Sequence, residues 1–127
     1  MNKQAIWPDK GPRPVGPYSP AVCYGSLVFV SGQGPIDPGT GEIRHGDVVE
    51  EFGLAVQNVR TVLEEAGSSL ENALKVTLYL ADMNDFSRVN EAYKEHFGPV
   101  FPARTTIQAA GLPKGIKVEI DVIAYKS

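Results

Sequence analysis

The sequence holds a single cysteine, Cys23, among 127 residues. One thiol allows no intrachain disulfide, and a structural zinc site would need more ligands than Cys23, His45 and His96 offer at their spacing. Cys23 is expected as a small buried hydrophobe in a strand. Excess positive charge is also lacking. Twelve Lys and Arg against fifteen Asp and Glu give a net charge of −3. A dedicated nucleic-acid binder needs a basic face to displace counterions, so this balance argues against one. No segment approaches the ~18 apolar residues of a membrane helix. Met1 to Pro17 carries four prolines and no apolar run, and reads as neither signal peptide nor anchor. A Walker loop, a G-x-G-x-x-G before a helix, a G-x-S-x-G elbow, internal repeats and lipidation motifs are all missing. These absences lead to an expectation of a cytoplasmic protein with no metal, no cofactor, and neither nucleic acid nor membrane as partner.

What is present describes an ordinary globular chain. Hydrophobic residues make up 43% and charged residues 21%. The length suits one domain over residues 1–127, able to bury roughly two-thirds of the surface its unfolded form exposes. Residues 1–17, rich in Pro and Gly, should run as an extended arm. Ala21–Tyr24 and Leu27–Ser31 flank Gly25-Ser26 and suggest a tight hairpin. Residues 35–41 are dense in turn formers, and Glu42–Arg44 is expected as a short returning strand. Behind the candidate N-cap Asp47, apolar residues at 48, 52, 55, 59, 62 and 66 predict a helix over Val48–Ala66, stopped by Gly67. Leu74, Val76, Leu78 and Leu80 alternate with polar neighbours and predict a strand over Ala73–Leu80. Asp85 is the candidate cap of a second helix with Phe86, Val89, Tyr93 and Phe97 on one face. Two strands close the chain, Arg104–Ala109 and Ile116–Tyr125. The order predicts an α+β fold, a sheet with two helices packed on one face. The other face must be wet or covered, and a homo-oligomer would cover it.

Few side chains stand out chemically. Arg104 lies in an apolar strand, where its planar fork suits a carboxylate. It reads equally as a structural ion pair or a solvated residue. Glu119 lies between Val118 and Ile120 and reads either as a general base or as the solvent side of an alternating strand. If the last two strands paired as a hairpin with their apolar sets together, Arg104 and Glu119 would share the other face. Tyr18, at the end of the arm, either reaches a ligand or pins the arm to the body. Ser31-Gly32-Gln33-Gly34-Pro35 either offers backbone amides to an oxyanion or is simply a turn at a strand end.

These residues fall into a pattern. Gly16-Pro17-Tyr18-Ser19, Val30-Ser31-Gly32-Gln33, Asp37-Pro38 with Thr40-Gly41-Glu42, Asp85-Phe86 with Val89-Asn90 and Tyr93, Phe101-Pro102-Ala103-Arg104, and Leu112-Pro113 through Val118-Glu119-Ile120 occur in order. From about Gly16 to Ala124 the chain resembles the Rid (YjgF) proteins, specifically the 2-iminobutanoate/2-iminopropanoate deaminase subgroup. The resemblance implies a chorismate-mutase-like α+β fold and a homotrimer with its sheets turned inward and its sites in the clefts between subunits. It implies Arg104 as the carboxylate binder and Glu119 as the residue that positions water. Tyr18, Ser31, Gly32, Asn90 and Thr106 would line the substrate pocket. It further implies that the strand Ala73–Leu80 separates the last two strands, so that Arg104 meets Glu119 of a neighbouring subunit. Three positions depart from the family's usual pattern and bear on pocket shape: Gly34 for a larger apolar residue, Pro20 for Gln, and Thr106 for Cys.

The function expected from the resemblance is hydrolysis of reactive 2-imino acids to 2-keto acids and ammonia. Its main rival is a non-catalytic trimer that binds 2-keto acids or other small carboxylates in the same clefts. A ribonuclease is a third reading, disfavoured by the acidic balance.

Overall fold

The computed structural model describes residues 1–127 throughout. Its elements follow the chain as β1 (Gln4–Ile6), β2 (Ala21–Tyr24), β3 (Leu27–Gln33), α1 (Val48–Glu65), β4 (Ala73–Leu80), α2 (Phe86–Tyr93), β5 (Ala103–Gln108) and β6 (Val118–Tyr125). The six strands form one sheet in the order β1-β2-β3-β6-β4-β5. All neighbours are antiparallel except β4 and β5. The result is the expected mixed α+β architecture with both long helices on the chain's one covered sheet face.

Local sequence explains α1 well. Asp47 accepts hydrogen bonds from the Val49 and Glu50 amides at 2.8 and 3.0 Å, and the Asp47 amide donates to the Glu50 carboxylate at 3.4 Å. This capping box satisfies N-terminal amides that the helix cannot. Ala66 caps the other end, and Gly67 takes a left-handed φ of +82°. The apolar stripe of α1, with Phe52, Ala55, Val59 and Val62, is buried against Val28, Val76, Leu78, Ile120 and Val122 of the sheet. Complete burial of Phe52 alone contributes about 2–3 kcal/mol.

Other expectations need correction. Asp85 makes no side-chain cap, having been drawn into a short 3-10 turn over Met83–Asp85. Asp82 accepts from the Asn84 amide at 2.9 Å instead and starts that turn. Residues 42–44 form no strand, and only an isolated bridge joins Ile36 to Ile43. Leu74, expected inside, is exposed because the β4–β6 register shifts between Ala73 and Lys75. Strand β3 runs two residues past its expected end, with a second irregularity between Val30 and Gln33. Residues 4–6 of the arm pair with β2. The arrangement of β5 decides where the site lies. It runs parallel to β4 with Arg104 beside Val76 and Thr106 beside Leu78, so Arg104 and Thr106 take the helix side of the sheet. Thr105 and Ile107 face outward, the reverse of an apolar-inside reading of this strand.

Candidate functional site

Arg104 projects from the edge strand toward α2. Its Nη2 donates to Asn90 Oδ1 at 2.7 Å, and its guanidinium lies 4.7 Å from the centre of the Tyr93 ring and 5.7 Å from that of Phe86. Stacking on rings suits a planar, weakly hydrated cation and fixes its plane. Arg104 has no carboxylate partner, which removes the structural ion-pair reading of this residue. One charged fork is thus held in place with donors to spare. Asn90 and Tyr93, three residues apart, share one face of α2, which is why both reach the same guanidinium. Together with Pro102 and Phe101 they line a surface cavity of about 360 Å³. Thr106, two residues along the same face of β5, has a buried hydroxyl with no hydrogen-bond partner, as has Tyr93. Burial pushes the Tyr93 phenol up to about 12, against a smaller opposing pull from Arg104. It stays neutral near pH 7.

Glu119 belongs to a different place. In β6 it lies beside Tyr79 of β4, on the face opposite the helices. Its side chain crosses directly over Gly32. A Cβ at Gly32 would collide with Glu119 Oε2 and lie 3.0 Å from Glu119 Cδ. Gly32 is therefore the residue that makes room for this carboxylate. Burial, and secondarily the neighbouring Asp121 charge, raise the Glu119 carboxyl above its ordinary value. Asp121 in turn accepts from Tyr79 Oη at 2.8 Å, and this bond is the first cause lifting the Tyr79 phenol to about 12.

Tyr18 lines the cavity next to Glu119 and Gly32. Ser31 anchors that segment: its Oγ donates to the Ser19 carbonyl at 2.6 Å and its amide to the Pro20 carbonyl at 2.9 Å. The Ser31 amide is thus occupied, and the segment is an irregularity inside β3 rather than a turn at its end. Behind it, buried Asn58 of α1 donates to the carbonyls of Gly34 and Ile36 at 3.0 and 2.9 Å. Buried Glu51 accepts from the Lys117 amide at 2.7 Å, two residues before Glu119. Neither of these supports had a sequence signal, because each looks like an ordinary polar residue of an amphipathic helix.

Of the expected site residues, one set gathers Arg104, Asn90 and Thr106, and another Tyr18, Gly32 and Glu119, with Ser31 bracing it. The two sets stand on opposite faces of the sheet, with β4 between β5 and β6. The direct hairpin that would place Arg104 and Glu119 together is absent. Sequence reading also missed Tyr93 and Phe86 as the platform beneath Arg104, having assigned both to the packing face of α2.

Known proteins share this arrangement of sequence and fold. The profile of a protein family described as Endoribonuclease L-PSP matches residues 9–126. The chain is 48% identical to a RutC family protein of Pyrococcus abyssi, over 99% of each chain. It is 43% identical to the human 2-iminobutanoate/2-iminopropanoate deaminase, over 98% of this chain and 90% of the human one. Among solved structures, E. coli TdcF with bound serine is similar with a TM-score of 0.89 and 41% identity, covering 98% of this chain and 99% of that one.

Proposed function

The chain belongs to the YjgF/Rid family, and on that footing we propose that it hydrolyses reactive 2-imino acids to 2-keto acids and ammonia in clefts between the subunits of a homotrimer. The observation that carries the reading is the presence of a ring-stacked Arg104 without a carboxylate partner and, on the opposite sheet face, a half-buried Glu119 of raised pKa. One chain cannot bring these two groups to one small ligand, whereas a second copy can supply the missing half. The uncovered sheet face supports association, since Leu27, Phe29, Ile107 and Tyr125 expose apolar surface there.

In this reading Arg104, steadied by Asn90, grips the substrate carboxylate, while Thr106 and Tyr18 bound the pocket. Glu119 accepts a proton from a water that adds to the C=N carbon, a base strengthened by its raised pKa. Addition gives a carbinolamine. Proton return from Glu119 to the nitrogen makes ammonia the leaving group, and as the C–N bond breaks the hydroxyl proton passes to Glu119 and on to ammonia, leaving the 2-keto acid and ammonium. A protonated imine is already electrophilic, so positioning with acid–base help of ~10²–10⁴-fold suffices. The test is ammonia release from freshly generated 2-iminobutanoate and 2-iminopropanoate above the spontaneous rate. No acceleration with either would end the deaminase reading.

A ligand-binding trimer without turnover is the second reading, favoured by the related E. coli TdcF structure holding serine. The two readings part at Glu119. A pure carboxylate binder needs Arg104 and gains nothing from a second carboxylate nearby. The family description's ribonuclease finds little support in a net charge of −3.

A further inference from the structure

The cavity beside Glu119 reaches past that carboxylate to the N-terminal arm and to the turn before β6. Its volume is about 160 Å³. Val15 of the arm, Ile36 and Ile43 of the following loop, and Ile116 ahead of β6 wall it. Gly34 keeps it open. A Cβ at Gly34 would stand 3.0 Å from Ile116 Cδ1, so a larger side chain there would compete for the same space.

The charges lining the cavity are unbalanced. Arg13 and Lys114 line it together with Glu119, two cations against one carboxylate, and neither cation has an ion-pair partner. Arg13 is held with its guanidinium 5.8 Å from the centre of the Trp7 ring. Lys114 adopts a left-handed φ of 53° in the turn before β6, a conformation that costs a non-glycine residue. A cavity lined by both apolar side chains and two unpaired cations suits a ligand with an aliphatic stem and an anionic tip.

Resting on the site proposed above, we infer that this pocket selects dicarboxylic 2-imino acids, with the first carboxylate at Arg104 and the second at Arg13 and Lys114. Gly34 is then a specificity-determining residue: it admits the stem of the longer acid. Imines of this class arise when a dicarboxylic amino acid loses two electrons and two protons, so an amino-acid oxidising reaction supplies the substrate.

Calorimetry on the intact protein with 2-ketoglutarate, 2-ketobutanoate and 4-methyl-2-oxopentanoate tests this without turnover. 2-Ketoglutarate should bind about tenfold or more tightly than either other acid, as one added charge-assisted contact implies. The double variant Arg13→Ala/Lys114→Ala should bring 2-ketoglutarate to within about threefold of 2-ketobutanoate. Gly34→Leu should weaken both longer acids relative to 2-ketobutanoate. A wild-type protein that prefers either monocarboxylate, that binds none of the three, or whose 2-ketoglutarate preference survives the double variant overturns the inference. Failure of ammonia release from 2-iminobutanoate with these affinities intact would instead remove the deaminase reading alone.

Discussion

Replacing Gly32 with alanine adds one methyl group at the point where Glu119 crosses the backbone. The new Cβ would overlap Glu119 Oε2 and sit 3.0 Å from its Cδ. Ordinary carbon contacts lie near 3.5–4.0 Å, so the carboxylate must move by about 1 Å. The fold tolerates that shift, because the displaced group is the end of a flexible side chain and Gly32 does not occupy a left-handed conformation. The proposed reaction would not tolerate it, since a misplacement of ~1 Å costs about 10²-fold. Gly32→Ala should therefore lower kcat for imine hydrolysis about 100-fold with near-normal thermal stability and keto-acid binding. The double variant Gly32→Ala/Glu119→Gln should be no slower than Glu119→Gln alone, since both changes act on one group. Full activity in Gly32→Ala would refute the placement of Glu119 at the reacting centre. Additive losses in the double variant would show that Gly32 acts by another route.

Other outcomes follow from the same geometry. Arg104→Lys keeps the charge but loses the fork and the Asn90 bond, and calorimetry should find keto-acid binding weakened about tenfold or more. The raised Glu119 pKa places the acid limb of the pH–kcat/KM profile above the range of an ordinary carboxylate, since activity needs the ionised form and is lost as pH falls through that pKa. Asp121→Asn removes a repelling charge and should move that limb to lower pH; an unmoved limb assigns it to another group. Asn58→Ala strands the Gly34 and Ile36 carbonyls and should cost about 2–4 kcal/mol in urea unfolding. Light scattering should give the mass of three chains, and a stable monomer would remove the intersubunit site.

Legibility tracked the range of the forces involved. Helix α1 was readable because its signals are local: Asp47 and Glu50 are three residues apart, and its buried stripe repeats every turn. Strand β6 was readable because strict alternation separates Val118, Ile120 and Val122 from Glu119 and Asp121. Strand β5 has no such marker: Thr105 and Ile107 alternate with Arg104 and Thr106, and only parallel pairing with β4 turns Arg104 and Thr106 inward. That pairing joins residues 28 positions apart, as Val76 and Arg104 show, and nothing local encodes it. The irregularity at Ser31 and Gly32 was invisible for the same reason. The candidate site residues stand out by type and motif, but their division between two sheet faces was not legible from spacing.

That division has a consequence for how stability and function are linked. Arg104 lies on the edge strand, and Glu119 on a strand enclosed between β3 and β4. The edge-strand group is braced by α2 through Asn90 and Tyr93, and the inner group by α1 through Glu51 and Asn58. Each half is therefore braced within its own chain, and in the proposed trimer contact between copies would only have to bring two finished halves together. A site built this way needs no large rearrangement on assembly, and its geometry is as precise as the interface that aligns the sheets. Weakening the exposed apolar face, at Phe29 or Ile107, would separate the halves while leaving both intact. Each isolated half would keep its local contacts and lose the proposed deaminase activity.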